Sequence, residues 1–225
     1  MSRVLIIAAH PDDDILGVGG FIAKYPKYKF KVLFLAEGSS CRFEDISIFK
    51  VKKAIEHRNS CAEKSLKKLG VKNIKFNNFD CGRLNIIPMV KINKVIEKEI
   101  INYRPSIVFT HAMSDTNFDH RIVFNSTLIS TRPQKKFTVK KVFSYEVLSS
   151  TNWGYNSDFN PNYFEKLDYK HLKKKWLSLK EYNTETQKFP LPRSFDGLKS
   201  LAMYRGMQAN FKYAEAYQLL REFSE

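Results

Sequence analysis

Apolar and polar positions along this chain alternate between two rhythms. Val4-Leu5-Ile6-Ile7-Ala8-Ala9 is a continuous apolar run that stops at His10-Pro11-Asp12-Asp13-Asp14. An uninterrupted run of that length between breakers predicts a strand buried on both faces, as in a parallel sheet. Ile15-Leu16 and Phe21-Ile22-Ala23 fall at helical spacing and predict a helix from about 15 to 25. The pair of rhythms then recurs: a strand over 31–36, a long helix over roughly 47–69 closed by Gly70, a short strand over 73–76, and a helix over about 88–103 ended by Arg104-Pro105. A strand over 106–110, a helix over 120–131 and a strand over 141–147 complete the alternation. Strands alternating with helices predict βαβ crossovers, hence an α/β fold: a mostly parallel sheet with helices on both faces.

The pattern changes after Ser150. Residues 152–162 are turn-rich, 171–182 have helical spacing, Phe189-Pro190-Leu191-Pro192 is an extended break, and two helices are expected around 194–207 and 211–223. No linker precedes this part. The expectation is one domain over 1–225, with an α/β core over 1–150 and a C-terminal helical cap over 151–225.

Composition narrows the classes. A hydrophobic content of 43% suffices for a sizeable core. The three cysteines, at 41, 61 and 81, form no CxxC pair. That argues against a disulfide framework and a thiolate zinc cluster, and fits a reducing cytoplasm. The apolar run at the N-terminus is too short for a signal peptide and ends in acids. No stretch approaches the ~18 apolar residues of a membrane span. The formal charge of +15 suits an anionic substrate, such as a sugar nucleotide, a lipid phosphate or nucleic acid. It equally suits lysines scattered over solvated faces. No zinc-finger, RNA-binding or homeodomain pattern accompanies the charge, so a nucleic-acid partner ranks below a phosphorylated small molecule.

Two strand ends carry the chemistry. Open parallel sheets place their ligands beyond the carboxyl ends of the strands. His10, Asp12, Asp13 and Asp14 are delivered there by the first strand, at the start of a helix where negative charge is favoured. One aspartate would be an N-cap; three after a histidine repel one another unless a cation or protons intervene. Thr110-His111-Ala112-Met113-Ser114-Asp115-Thr116-Asn117-Phe118-Asp119-His120 also follows a buried strand and opens a helix. The two turns can present His10, Asp13 and His120 to one point. Two imidazoles and one carboxylate with a fourth position open are a catalytic zinc arrangement.

Ala9-His10-Pro11-Asp12-Asp13 resembles the signature of the PIG-L/LmbE-like zinc-dependent N-deacetylases, and Asp115-x-Asn117-x-Asp119-His120 resembles that family's second motif. Arg58, Glu63 with Leu69-Gly70, and Asp80 with Arg83-Leu84 stand where the family has similar elements. The resemblance implies a Rossmann-like fold and hydrolysis of the N-acetyl group of an amino sugar carried on another group. It implies Zn²⁺, or another divalent cation, held by His10, Asp13 and His120, with Asp12 as general base. Many relatives have a histidine three positions before the last ligand, where this chain has Asn117. An amide donates a hydrogen bond but supplies no proton near neutral pH. Asn117 is therefore expected to orient substrate or oxyanion, leaving Asp12 or His111 as the acid. Asp119 is expected to orient a ligand imidazole, and Asp14 to be a helix-start acid.

By the same resemblance, Arg58 and Asp80 face the sugar; the competing expectation for Arg58 is a surface pair with Glu63 or Glu56. Tyr145-Glu146-Val147, Ser149-Ser150-Thr151, Pro192-Arg193-Ser194, Tyr204-Arg205-Gly206 and Ala214-Glu215-Ala216 look like a bacterial surface-glycan branch of the family. Arg193 and Arg205 are candidates to clamp a phosphate or nucleotide, against a salt bridge with Glu215 or its neighbours. Glu37 and Ser39 are expected beside the site. The aromatic stretch 153–163 is expected either to stack on sugar or to pack internally. The expected partner is an anionic, phosphate- or nucleotide-linked N-acetyl amino sugar; an oligomer is compatible with the sequence. The competing readings are a zinc hydrolase of another amide or ester, a basic nucleic-acid-binding protein, and a dinucleotide binder. The last is weakened because Gly17-Val18-Gly19-Gly20 misses GxGxxG and acids at that turn repel a pyrophosphate.

Overall fold

The computed structural model describes residues 2–44, 49–133, 137–154 and 159–224. Strand β1 (Arg3–Ala8) leads into helix α1 (Asp13–Lys24), followed by β2 (Lys29–Ala36), α2 (Phe49–Lys68), β3 (Asn73–Phe79), α3 (Met89–Tyr103), β4 (Ile107–His111), α4 (Phe118–Ser130) and β5 (Lys141–Tyr145). The chain continues with β6 (Tyr163–Leu167), α5 (Tyr169–Leu179), α6 (Phe195–Met207) and β7 (Tyr213–Glu222). The expected start of α2 near Ser47 lies outside the described residues. The described strands form one seven-stranded sheet in the order β3-β2-β1-β4-β5-β7-β6. Strands β1 to β5 pair in parallel, whereas β7 runs antiparallel to both β5 and β6.

Alternate residues of β1 bury against opposite layers. Val4, Ile6 and Ala8 join Leu16, Phe21 and Ile22 of α1, while Leu5, Ile7 and Ala9 join Ile92, Ile96 and Ile100 of α3. That is why the run is apolar throughout rather than alternating. Strand order reverses at β1, whose neighbours are β2 and β4. A crevice opens at such a switch point beyond the carboxyl ends of the strands.

The C-terminal third departs from the expected helical cap. α5 and α6 are helices, but the segment expected to be helical around 211–223 is β7, and β6 adds a further strand. Ala, Glu, Gln and Leu in Tyr213–Glu222 favour a helix intrinsically, and tertiary pairing overrides that preference. Here β7 fills the position between β5 and β6, and Tyr213, Ala214, Ala216 and Tyr217 are buried, both tyrosines in the core. Among the described residues, no helix is long and apolar enough to cross a membrane.

Helix α1 is held from both sides. Glu215 of β7 accepts from the Gly20 and Phe21 N–H groups at 2.8 and 2.7 Å, and pairs with Lys175 of α5 at 2.7 Å. Lys175 also donates to the Leu16 carbonyl at 2.7 Å. On the other side, Tyr145 packs so closely that a Cβ at Gly17 would sit 2.1 Å from its ring. The glycines inside α1 therefore serve close packing, not phosphate binding. Gly17→Ala is expected to lower stability by about 1–3 kcal/mol through overpacking, read from urea denaturation midpoints at unchanged m-value.

Candidate functional site

His10 leaves β1 and Asp12 follows with φ 114°. A non-glycine residue in this region is strained by about 1–3 kcal/mol, the kind of cost usually met where geometry serves function. The turn lets α1 start at Asp13 while both carboxylates face the crevice. Gly38, just after β2, has φ +76°, and a Cβ there would stand 2.7 Å from Arg58 Nε and 3.2 Å from His10 Cβ. Only glycine allows that conformation and that approach together.

Three atoms converge at the carboxyl ends of β1 and β4. His10 Nδ1, Asp13 Oδ2 and His120 Nε2 form a triangle with sides of 3.3 Å (His10–Asp13), 3.2 Å (His120–Asp13) and 3.3 Å (His120–His10). A tetrahedral zinc centre with 2.0–2.1 Å bonds requires ligand atoms ~3.3–3.4 Å apart. Octahedral magnesium would require ~2.9 Å between adjacent ligands. Two nitrogens and one oxygen at this spacing can hold a divalent metal ion such as zinc.

Each imidazole is aimed by a carboxylate. His10 Nε2 lies 3.0 Å from Asp119 Oδ2, and Asp119 accepts from Gly82 N–H (2.6 Å) and Leu84 N–H (3.1 Å). His120 Nδ1 lies 3.0 Å from Asp115 Oδ2, which also accepts from the hydroxyls of Ser150 (2.9 Å) and Thr151 (2.8 Å). Such partners fix the tautomer, so that the lone pairs of His10 Nδ1 and His120 Nε2 face the centre. Asp119 stands where the sequence placed it. Asp115 was missed, although it sits in the same Asp-x-Asn-x-Asp-His turn; its spacing from His120 was the available signal.

Electrostatics follow from this crowding. Burial opposes a charge on His120, but Asp13 and Asp115 outweigh it and push the imidazole up to about 10. Burial also opposes the Asp13 carboxylate, which His120 and His10 nonetheless hold well below the usual range. Asp14 is fully buried, and burial with Asp12 beside it raises its carboxyl to about 8. Its Oδ1 accepts from the Asp12 N–H at 3.3 Å, and it is absent from the cleft lining. For Asp12, burial raises the carboxyl despite Arg193 and Arg58.

Asp12 is held by two guanidiniums. Arg58 donates to Oδ1 at 3.1 Å and Arg193 donates to Oδ2 at 2.9 Å. Glu185 joins them to a third, contacting Arg58 at 2.6 Å, Arg193 at 2.7 Å and Arg42 at 2.8 Å. Sequence reading missed Arg42 and Glu185; a lone glutamate in the 184–187 loop carries no local signal. Arg58 is buried in this network and not paired at the helix surface with Glu56 or Glu63. The crevice is a cleft of about 600 Å³ lined by His10, Asp12, Asp13, Arg42, Arg193 and Trp153, among others.

Other expected site residues stand elsewhere. His111 is wholly buried behind the triangle, where its Nε2 accepts from Ala9 N–H at 2.9 Å and its ring stacks on His120 at 3.9 Å between centroids. Burial, with His120 next to it, drops its pKa to about 3. A neutral imidazole with no face on the cleft does not serve as the acid. Asp80 is exposed and absent from the cleft lining, where Cys81 stands instead. Arg205 makes a buried two-pronged bridge to Glu146, both contacts 2.7 Å, so its donors go to the protein and not to a phosphate. Asn117 caps α4, its Oδ1 accepting from Asp119 N–H at 2.9 Å, and it lines the cleft. Glu37 is buried beneath the cleft, accepting from Ser39 N–H at 2.6 Å and Cys81 N–H at 2.8 Å. Of the aromatic stretch, Trp153 borders the cleft, Phe159 is buried, and Tyr155 lies outside the described residues.

Residues 5–129, more than half of the chain, match the PIG-L family model, described as GlcNAc-PI de-N-acetylase. No curated protein sequence matches the chain. Solved structures share the fold. The conserved protein TT1542 from Thermus thermophilus aligns with a TM-score of 0.77 at 20% identity, covering 100% of this chain and 97% of that one. The N,N'-diacetylchitobiose deacetylase from Pyrococcus horikoshii aligns at 0.76 and 19% identity, covering 97% and 84%. GalB, a 4-carboxy-2-hydroxymuconate hydratase from Pseudomonas putida, aligns at 0.74 and 21% identity, covering 100% and 98%. One fold thus carries different reactions, and the site must decide between them.

Two outcomes are expected. Asp115→Asn and Asp119→Asn each weaken zinc binding about 10–100-fold, the usual effect of removing a partner of a ligand histidine, measured by chelator competition. Zinc binding competes with protons on the His10 and His120 imidazoles, both raised by neighbouring carboxylates, so apparent affinity is expected to rise with pH. Calorimetry in buffers of different ionisation enthalpy would report the released protons.

Proposed function

Because the chain belongs to the PIG-L family, we propose that it is a metal-dependent hydrolase that removes the acetyl group from an N-acetylated amino sugar, releasing acetate and a free amine. One observation carries the reading: a ligand triangle sized for tetrahedral zinc opens on a cleft with an unliganded carboxylate, Asp12, at its edge. An acetamide is a poor electrophile and water a poor nucleophile. A divalent cation held by His10, Asp13 and His120 would polarise the carbonyl and make water acidic.

The chain's own groups supply the proton transfers. Asp12 takes a proton from the attacking water on a carboxylate oxygen as the C–O bond forms. Its burial favours accepting that proton, and Arg58 and Arg193 hold the carboxylate in place. The Asn117 amide, its oxygen engaged in the cap, offers its N–H₂ to the developing oxyanion. Asp12 then returns the proton to the departing nitrogen as the C–N bond breaks. This assigns both steps to one carboxyl and needs no second acid.

The cleft also suits an anionic substrate. Three guanidiniums, Arg42, Arg58 and Arg193, meet two carboxylates, Asp12 and Glu185, leaving one positive charge over. Arg42 is the exposed member, with 49% of its side chain accessible. A phosphate or nucleotide linked to the sugar is the natural partner for it. Trp153, 64% exposed at the cleft wall, offers an apolar face to the sugar ring. We place the enzyme in the cytoplasm, where such sugars are made. The competing reading is hydrolysis of another amide or ester by the same ligands.

The test is acid release from a panel of N-acetylhexosamine conjugates, with and without phosphate or nucleotide, alongside other acyl amides and esters. Acetate from the N-acetylhexosamines is expected, with Arg42→Ala raising KM for the anionic members only. Release confined to other acyl compounds would establish the competing reading, and no release by zinc-loaded protein would refute both. Asp12→Asn is expected to keep its metal and lose roughly 10²–10⁴-fold in kcat; full activity would remove Asp12 as the base.

A further inference from the structure

Two thiols from different strand ends meet at the rim of the cleft. Cys41 lies in the short turn after β2, Cys81 in the loop after β3, and their sulfurs are 2.9 Å apart. Cys41 is exposed and Cys81 is buried, and both line the cleft. Neither takes part in the hydrolysis described above. We propose that this pair is a redox modification site: a peroxide closes it to a disulfide, and closure loosens the metal centre.

The geometry favours closure between these two sulfurs. A disulfide bond is about 2.05 Å long, so the sulfurs must approach by roughly 0.9 Å. Gly82, at φ +72°, brings the loops together: a Cβ there would stand 3.3 Å from Cys41 Cβ. The third thiol, Cys61, is buried on α2 beside His57, 3.6 Å from its Nε2, and is not placed to compete.

The loop that carries Cys81 also carries the anchor of a metal ligand. Cys81 N–H donates to Glu37 Oε1 at 2.8 Å and to Ser40 Oγ at 3.2 Å. The next residue, Gly82, donates its N–H to Asp119 Oδ2 at 2.6 Å, the same oxygen that lies 3.0 Å from His10 Nε2. Drawing Cys81 toward Cys41 pulls on that chain of contacts and so on the aim of the His10 ring. This second half rests on the metal site assigned above; bridge formation does not.

The chemistry balances. The exposed Cys41 sulfur attacks the O–O bond, giving a sulfenic acid and one water. Cys81 sulfur then attacks the sulfenic sulfur, the S–S bond forms, and a second water leaves with the thiol proton. Two thiols are oxidised by two electrons and hydrogen peroxide is reduced to two waters. A small dithiol reverses the step by exchange.

The experiment exposes zinc-loaded full-length protein to hydrogen peroxide and follows three readouts. Peptide mass mapping should show Cys41 joined to Cys81, about 2 Da lighter than the reduced peptides through the loss of two thiol hydrogens, and lost on dithiothreitol treatment. Zinc affinity by chelator competition should fall about tenfold, as when a partner of a ligand histidine is disturbed, and recover on reduction. Cys41→Ser and Cys81→Ser should each show no bridge and the same affinity before and after peroxide. A Cys41 sulfinic acid with Cys81 still reduced, or a bridge to Cys61, overturns the proposal. A Cys41–Cys81 bridge with unchanged zinc affinity overturns the coupling. If reduced protein binds no zinc, the metal-site reading falls and the coupling with it, while the mapped peptide still judges the bridge.

Discussion

Five aspartates are buried within one small volume, and everything around them answers that constraint. Asp12, Asp13, Asp14, Asp115 and Asp119 are all shielded from solvent. A buried ionised group is costly unless it is paired and hydrogen-bonded. Each acid meets the demand differently. Asp12 has two guanidiniums, burial raises the Asp14 carboxyl toward its neutral form, Asp115 has His120 and two hydroxyls, and Asp119 has His10 and two backbone N–H groups. Asp13 accepts from the His10 backbone N–H at 2.9 Å and meets the two imidazoles that would share a metal with it. The three groups stand close enough to hold a divalent cation between them, which would complete their charge.

The rest of the fold positions those partners. The switch in strand order between β2 and β4 puts the ends of β1 and β4 side by side, so that His10 and His120 meet across 110 residues of chain. Arg58 arrives from α2, and Arg193 from the loop before α6, to complete the shell around Asp12. The C-terminal third is therefore part of the site as well as an extension of the sheet. On its far side, the Lys175–Glu215 pair ties α5 and β7 to the backbone of α1, the helix whose first turn carries Asp13 and Asp14. A buried pair of this kind, broken by removing one partner, costs about 3–5 kcal/mol, so the site's scaffold is itself built on paired charge.

A single fold shared with a deacetylase and a hydratase says little about the reaction. What bears on the choice is the shell: a three-cornered set of candidate ligands, a second carboxylate held by two guanidiniums, and a cleft with one positive charge in excess.

The sequence by itself determined the parallel core and the polar residues gathered at its strand ends. Apolar runs that bury on two faces leave little choice of architecture, and polar residues at their ends have one crevice to enter; that His10, Asp13 and His120 meet there was legible for that reason. What tertiary structure decided lies where local pattern and long-range context disagree. Residues 213–222 read as a helix because their propensities are helical, yet an open sheet edge between β5 and β6 makes them a strand. His111 and Arg205 carry the residue types of a site but are turned inward, one under the ligands and the other onto Glu146. Arg42, Glu185 and the Cys41–Cys81 pair carry no spacing that marks them, because each becomes a partner only when distant loops fold against one another.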